Sequence, residues 1–332
     1  GIMSFGVDPG VIAASYVQEQ MGLPSFGPYE SIVILQNKDK FRAFLAANGF
    51  NVPWAYGFSS ADEAVKQKNK FTYPLMVKPT DSAGSKGCTC VTSEEMLNSA
   101  IEYALRYSIS GNIIIEEFID KQGCSSDTDS YAQDGKLKFV SFSAQRFDNN
   151  AINPYTPAAY SWPSTFIEHE DYLKNELQRL LSLLGMKTSV FNIETRVASN
   201  GKPYIMECTP RGGGNRLCEM LRYATGVDLI TAQVRAAVGD SVENVEQKPY
   251  DGHWAEIILH ADADGTFKSL EISPEIPAQI IERDLWVKEG DKVNAFHGAN
   301  DAIGTLVLRF ENEADLSSVF YQPTQWIKVI VE

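Results

Sequence analysis

The dipeptide Asn200-Gly201, set between two apolar runs, constrains this chain more than any other short segment. Such a pair favours a two-residue type I′ hairpin loop, because both residues tolerate positive φ and the turn's twist matches that of the flanking strands. The loop pairs Ser199 with Lys202. Counting outward, Val197 faces Tyr204, Thr195 faces Met206 and Ile193 faces Cys208, which predicts one apolar face. The other face sets Arg196 opposite Ile205, Glu194 opposite Glu207 and Asn192 opposite Thr209. Pro203 falls where its missing N–H costs no ladder bond.

Two carboxylates directly across a strand pair, with Cβ atoms about 4.5–5.5 Å apart, repel one another unless something intervenes. A divalent cation is the simplest remedy. Mg²⁺ suits two carboxylates with few other protein ligands, because it keeps waters and takes its remaining ligands from substrate phosphates. The alternative is a solvated pair on an exposed sheet, relieved by Arg196.

Three further segments bear on that choice. Lys78 ends an apolar strand and leads into the small-residue loop of residues 80–87, where Ser82, Ser85 and Lys86 stand among glycines. Small residues let backbone N–H groups approach phosphate oxygens, and the lysines add charge for a triphosphate, although the spacing is not that of a Walker A loop. Glu116, Glu117, Phe118 and Ile119 end a buried strand, as a connector between two subdomains would, and such a hinge can hydrogen-bond an adenine edge; a plain strand end is the competing reading. Arg211 opens the run Arg211-Gly212-Gly213-Gly214-Asn215-Arg216 directly after the second carboxylate strand. A guanidinium there can stabilise charge during phosphoryl transfer, or the run is a flexible linker.

The rest of the chain reads as mixed strands and helices without a strict βαβ repeat, which predicts an α+β architecture. Residues 2–7 read as a buried strand, followed by a turn at Asp8-Pro9-Gly10 and a helix to Met21. Asn37 caps a helix that stops at Asn48-Gly49. Ser60-x-x-Glu63 and Thr92-x-x-Glu95 read as capping boxes. Asp134-Gly135 marks a hairpin between strands at residues 129–133 and 136–146, and residues 170–185 form a helix. Two helices follow, broken near Gly226 and ended by Gly239, before a β-rich tail from His253. The chain opens at Gly1 without an initiator methionine, and on this reading it is a piece whose earlier strands lie upstream.

Composition excludes several partners. With 29 Lys and Arg against 43 Asp and Glu, the net charge of −14 disfavours nucleic acid and acidic membrane surfaces. No apolar stretch approaches the roughly 20 residues of a membrane-spanning helix, and no signal-peptide pattern is visible. The five cysteines lack paired CxxC spacing and read as reduced cytoplasmic thiols; the four histidines have no metal-ligand spacing. Tyr155, Tyr160 and Trp162, in a Pro-rich segment, are candidates to line a substrate cavity, or they are packing residues.

Taken together, these segments resemble the ATP-grasp superfamily over the whole chain. The resemblance rests on Asn37-Lys38 opening a helix that ends in Gly49-Phe50-Asn51-Val52-Pro53, on Tyr73-Pro74-Leu75-Met76-Val77-Lys78-Pro79, and on Glu194 with Met206-Glu207-Cys208-Thr209-Pro210-Arg211. Arg211-Gly212-Gly213-Gly214 and Thr225-Gly226-Val227-Asp228 look like the ending common to its carboxylate–amine ligases.

The resemblance implies an ATP-grasp fold with the nucleotide between two α+β subdomains. Residues 1–36 would be the remnant of a preceding domain, 37–240 the ATP-grasp domain with its hinge near 116–119, and 241–332 a β-rich C-terminal subdomain. It further implies that Lys38 and Lys78 contact ATP phosphates, that residues 116–119 form the adenine hinge, that Glu194 and Glu207 hold Mg²⁺, with Mn²⁺ as an alternative, and that Arg211 acts at the transferring phosphoryl group. Thr209 stands where the family often has a metal-binding Asn, so Asn192 is the substitute candidate. Ser125 stands where an acidic residue often meets the ribose, with Asp127 or Asp129 as replacements. The expected function is ADP-forming ligation of a small-molecule carboxylate to an amine through an acyl phosphate, in the cytoplasm, with a homo-oligomer admitted. A bicarbonate-activating carboxylase or carbamoyl-phosphate-type enzyme, and a nucleotide-binding protein without turnover, are the alternatives.

Overall fold

A computed structural model describes residues 1–82, 84–243 and 245–332. Ala83, part of the predicted small-residue loop, lies outside the described residues. In chain order the elements are α1 (Asp8–Met21), α2 (Tyr29–Gln36), α3 (Lys38–Ala47), β1 (Ala55–Phe58), α4 (Ala61–Lys66), β2 (Leu75–Pro79), β3 (Thr89–Val91), α5 (Glu94–Tyr107) and β4 (Ile113–Glu117). There follow β5 (Ser126–Gln133), β6 (Lys136–Phe139), β7 (Ala144–Phe147), β8 (Pro157–Trp162), α6 (Glu170–Leu183), β9 (Ser189–Val197), β10 (Pro203–Thr209), α7 (Leu217–Thr225) and α8 (Leu229–Val238). The last part holds β11 (His253–Leu259), β12 (Gly265–Ile272), β13 (Gln279–Leu285), β14 (Lys292–Val293), β15 (Gly304–Phe310), α9 (Glu313–Tyr321), α10 (Pro323–Trp326) and β16 (Ile327–Val331).

The strands form four sheets, in the orders β1-β4-β2-β3, β10-β9-β5-β6, β13-β15-β11-β8-β7 and β14-β12-β16. Helices packed on antiparallel sheets make this an α+β fold, as the sequence predicts. The first sheet is covered by α5, whose Leu97, Ala100, Ile101 and Ala104 recur at helical spacing and pack on Leu75, Val77, Ile113 and Ile115. One face of the second sheet carries Phe191, Ile193 and Val197 onto α6, where Leu173, Leu177, Leu180 and Leu181 form a single apolar stripe. Truncating one of these leucines to alanine would cost about 2–5 kcal/mol. Because strand residues alternate between faces, the same packing turns Asn192, Glu194 and Arg196 toward the opposite side. The third sheet joins β7 and β8 to β11 and β15 across the intervening chain, and α7 and α8 fill the space between it and the second sheet.

Several local expectations are corrected. Residues 1–7 are not a strand: Gly6 takes φ +69° and its N–H donates to the Gly212 carbonyl at 3.0 Å, while Pro9 lies in the first turn of α1 rather than in a preceding turn. Ser93, not Thr92, is the N-cap of α5. The long strand expected over residues 136–146 is two strands, and β7 leaves β6 to pair with β8, an element the sequence reading did not assign. Asp134 and Gly135 both take positive φ and close the β5–β6 hairpin, as that dipeptide predicts. The Asn200-Gly201 loop is different. Gly201 alone takes positive φ, its N–H donates to the Ala198 carbonyl at 2.8 Å, and Ala198 N–H donates to the Lys202 carbonyl at 2.9 Å. The loop is therefore the three-residue kind, a type I turn followed by a left-handed glycine.

One buried group stands out in the third sheet. Glu256 on β11, opposite Tyr160 on β8, is fully buried, and neither carboxylate oxygen has a hydrogen-bond partner among the described residues. Burial pushes its pKa well above the usual carboxylate range, with Arg216 opposing and Glu219 and Glu282 adding to the rise. A carboxyl that is protonated when folded and ionised when unfolded makes stability fall as pH rises above its unfolded value. Glu256→Gln removes that dependence. Urea unfolding at pH 5 and pH 8 should give a stability margin over the parent that widens toward pH 8 by about 1–4 kcal/mol.

Candidate functional site

The β9–β10 hairpin carries Glu194, Arg196 and Glu207 on one side. Near the turn its register is one residue off the predicted one, with Pro203 opposite Val197, Tyr204 opposite Arg196 and Ile205 opposite Thr195. A bulge at Met206 restores the count, so Glu207 opposes Glu194, Cys208 opposes Ile193 and Thr209 opposes Asn192. Ile205 and Cys208 both pack into the helical core beneath, leaving the two residues between them for the opposite face. There Met206 packs with Ile119 and Tyr204, and Glu207 reaches the cleft. The carboxylate pair thus arises from a different turn and a compensating bulge, not from the two-residue loop of the sequence reading.

A third carboxylate extends the row. Asp127 on β5 pairs with Glu194 on the far edge of β9, so Asp127, Glu194 and Glu207 lie side by side on three adjacent strands. Asp127 accepts from Asn192 Nδ2 at 2.8 Å and from the Tyr160 hydroxyl at 3.2 Å, and Asn215 Nδ2 donates to that same hydroxyl at 3.1 Å. Asp129, one pair further along, accepts from the Gly213 N–H at 2.8 Å and the Cys218 thiol at 2.9 Å. Burial, then Glu194, pushes the Asp127 pKa up to about 7; burial pushes Asp129 up to about 6. Burial and Glu207 raise Glu194. For Glu207 burial works the same way but loses to Lys38, whose Nζ lies 3.0 Å away, and its pKa is lowered.

Facing this row, Lys78 on β2 and Arg42 on α3 share one buried carboxylate. Glu116 holds Lys78 Nζ at 2.7 Å on Oε1 and Arg42 Nε at 2.8 Å on Oε2. Burial alone would raise Glu116, but Arg42 and Lys78 hold it well below the carboxylate range. Arg42 also donates to the carbonyl of Met206, the bulge residue, at 2.7 Å. Arg211 is fixed from another side: its Nε lies 2.7 Å from Asp8 Oδ1 on α1, and its Nη1 donates to the Gly212 carbonyl at 2.9 Å.

Lys38, Lys78, Asp127, Glu194, Glu207 and Arg211 border one cleft of about 1390 Å³ between the first sheet and the second and third. Of the residues singled out from sequence, Lys38, Lys78, Asn192, Glu194, Glu207 and Arg211 line it, as do Ser82, Ser85, Lys86, Phe118 and Ile119. Glu116 and Glu117 do not. Glu116 lies in mid-sheet, with its side chain spent on Lys78 and Arg42. Glu117 turns its carboxylate to the Trp54 N–H at 3.4 Å, while its own N–H donates to the Trp54 carbonyl at 2.9 Å. Asn192 presents its amide nitrogen to Asp127 and Asp129, and Thr209 is turned to Gln36. Tyr155 and Tyr160 reach the cleft, whereas Trp162 is a core residue whose indole N–H donates to Ser141 Oγ at 3.1 Å.

The loop after Lys78 is tied at both ends. Asp81 accepts from the Ile109 and Ser110 N–H groups at 3.1 and 2.7 Å, and Ser85, at φ +58°, donates its hydroxyl to the Tyr155 carbonyl across the cleft at 3.1 Å. Arg42, Asp8 and Asn215 were not among the predicted site residues. Arg42 reads in sequence as a helix-surface charge, and only the meeting of α3 with β4 and β10 reveals its burial.

The two hairpin glutamates should respond differently to neutralisation in chelator-treated, metal-free protein. Glu194→Gln removes the raised member of a repelling pair and should melt at or above the parent. Glu207→Gln leaves Lys38 without its partner and should melt lower, by on the order of 1 kcal/mol, since Glu207 is partly exposed. Equal loss in both variants, read by differential scanning calorimetry, would mean that the pair does not repel.

The ATP-grasp domain model matches residues 71–219, a span that holds Lys78, the small-residue loop, Glu194, Glu207 and Arg211. Among curated proteins, the chain is 24% identical over 222 residues to the N-terminal section of the carbamoyl phosphate synthase large chain of Methanopyrus kandleri, covering 66% of this chain and 38% of that one. It is 24% identical over 306 residues to phosphoribosylamine–glycine ligase of Leptospira interrogans, covering 87% and 68%. The chain thus spans well under half of the first of these relatives. Among solved structures, an L-amino acid ligase from Bacillus licheniformis superimposes with a TM-score of 0.82 at 20% identity, over 100% of this chain and 80% of that one. Residues 71–219 thus match an ATP-grasp domain, and the fold of the whole chain is like that of the L-amino acid ligase.

Proposed function

We propose that the chain is an ADP-forming ligase that uses MgATP to activate the carboxylate of one small molecule and joins it to the amine of another. The observation that carries the reading is the convergence on one cleft of two opposed carboxylates, two lysines each paired with a glutamate, and an arginine fixed by an aspartate. The resemblance of the fold to an L-amino acid ligase and the relation to phosphoribosylamine–glycine ligase support the C–N bond-forming class.

On this reading Lys38 and Lys78 contact the triphosphate, Ser82, Ser85 and Lys86 cover it, and Phe118 with Ile119 borders the adenine. The donor set fits a divalent cation, Mg²⁺ or alternatively Mn²⁺: Glu194 and Glu207 offer neighbouring carboxylates, and the rise in the Glu194 pKa marks repulsion that a cation would relieve. When bound, the cation supplies charge neutralisation on the triphosphate. A carboxylate oxygen of the substrate attacks the γ-phosphorus and the bond to ADP breaks. The amine nitrogen then attacks the acyl carbon and inorganic phosphate leaves. Arg211 reaches the transferring group from a direction set by Asp8, and positioning supplies most of the remaining rate. A cytoplasmic location accords with five unpaired cysteines, and among the described residues no helix is long and apolar enough to cross a membrane.

The test is a screen of amino acids, dipeptides and small acids for ADP and phosphate release with MgATP. Release that requires both a carboxylate and an amine is the expected result. Bicarbonate alone sufficing would move the reading to the carboxylase class, to which the carbamoyl phosphate synthase relatives give weight. With a substrate in hand, Arg211→Ala should slow single-turnover ADP formation on the order of 10²–10³-fold with little change in nucleotide affinity, because a fixed cation there acts on charge that develops in the transition state. Arg211→Lys should be a poor substitute, lacking the planar fork that engages two oxygens. Near-parental rates in both variants would remove Arg211 from the chemistry.

A further inference from the structure

The cleft has a second cationic lobe that the triphosphate reading does not use. It opens at β7, the edge strand of the third sheet. Successive residues there face opposite ways. Gln145 reaches toward Asp127 at 3.4 Å, whereas Arg146 turns to the other face. There its Nη1 meets Cys124 Sγ at 3.6 Å, its Nη2 meets Ser161 Oγ at 3.3 Å, and its guanidinium carbon lies 4.1 Å from the centre of the Phe320 ring on α9. Its Nε is buried without a hydrogen-bond partner among the described residues. Lys121, on the segment after the first sheet, lies with its Nζ 4.5 Å from the centre of the Phe147 ring, on the same wall.

Neither cation forms an ion pair among the described residues; the nearby Glu194 is taken by Arg196 at 3.4 Å. Burial lowers both pKa values, and Arg196 and then Arg146 lower Lys121 further. In a chain with 43 acidic against 29 basic side chains, two partly buried cations on one cleft wall with no carboxylate at ion-pair distance among the described residues are the reverse of what composition would supply. Taking charge out of water without a counter-charge is costly. The aromatic faces of Phe147 and Phe320 offset only part of that cost. A guanidinium whose Nη atoms are held only by a thiol and a hydroxyl, on the same wall as a lysine, is the arrangement that takes a carboxylate or phosphate oxygen pair.

We propose that the lobe formed by Lys121 and Arg146, floored by Cys124 and Ser161, is an anion-binding subsite for a carboxylate or phosphate group carried by a small molecule other than the adenine nucleotide. The inference rests on binding geometry and stands apart from the ligation reading, since its test needs no turnover.

The full chain would be saturated with a non-hydrolysable ATP analogue and Mg²⁺, then titrated calorimetrically with inorganic phosphate and, separately, with succinate, with sodium chloride balancing ionic strength. One equivalent of at least one probe should bind, and the probe that binds better identifies the group. Arg146→Gln and Lys121→Gln should each weaken that binding about tenfold or more while the affinity for the nucleotide analogue stays parental. Arg146→Lys, which keeps the charge, should recover part of it. If loss of packing on Phe320 unfolds Arg146→Gln, Lys121→Gln and Arg146→Lys carry the test. Failure of both probes to bind the parent, parental binding in the Lys121→Gln variant, or binding that occurs only without nucleotide would each overturn the proposal.

Discussion

Glu116 is the group on which the cleft depends. Its buried carboxylate holds Lys78 from the first sheet and Arg42 from α3, and Arg42 passes the connection on to the Met206 carbonyl in the second sheet. That carbonyl belongs to the one residue of β10 left without a partner in the β9 ladder. A bulge exposes a backbone acceptor that must be satisfied if buried, and a charged donor held in place by the Glu116 carboxylate does so at little cost in flexibility. The same bulge decides which side chains of β10 face the cleft. Without it, the register set by the turn would put Glu207 one residue out of line with Glu194. Lysine position, carboxylate opposition and the contact between two sheets are therefore consequences of one buried charge cluster.

The electrostatics of the cleft divide along its length. At one end Lys38, Lys78 and Lys86 give a cationic rim, with Glu207 drawn into a pair with Lys38. In the middle, Asp127, Glu194 and Glu207 form a row whose members cannot all ionise freely, which is why burial and mutual repulsion raise two of the three pKa values. Beyond the row, Tyr160 and Asn215 supply neutral hydrogen-bonding groups beside Asp127. A polyanion bridged by a cation complements the first two regions, and a small polar molecule the third. Among the described residues of the loop 80–87, Asp81 and Ser85 tie it to neighbouring segments on its two sides.

How much of this could be read from the sequence depended on the range of the interaction. Asp134-Gly135 specified its turn because both residues must take positive φ in a two-residue loop, and the helix α6 followed from its leucine spacing. Lys78, Glu194 and Glu207 were legible because strand ends and strand alternation are local properties. The Asn200-Gly201 loop differs from the expected one by one residue. A dipeptide that suits a two-residue turn also suits the glycine of a three-residue turn, and a bulge at Met206 has no local signature. Arg42, Asp8 and Asp127 gain their surroundings only through contacts between residues far apart in the chain. Burial of a charge is a property of the assembled layers, so no window of sequence around Arg42 could have shown it. Glu116 was legible as a strand end but not as the carboxylate shared by two cations, since both partners come from other elements.

The most direct measurement of this account is the affinity of the Arg42→Met variant for a non-hydrolysable ATP analogue with Mg²⁺, titrated at a temperature where circular dichroism reports native structure. Arg42 does not line the cleft, so any effect must pass through Glu116, Lys78 and the Met206 bulge. The account predicts weakening of about 10–100-fold, the range seen when a supporting contact behind a metal or phosphate site is removed. Parental affinity in a folded variant would contradict it, because the site would then stand without the charge cluster said to hold it.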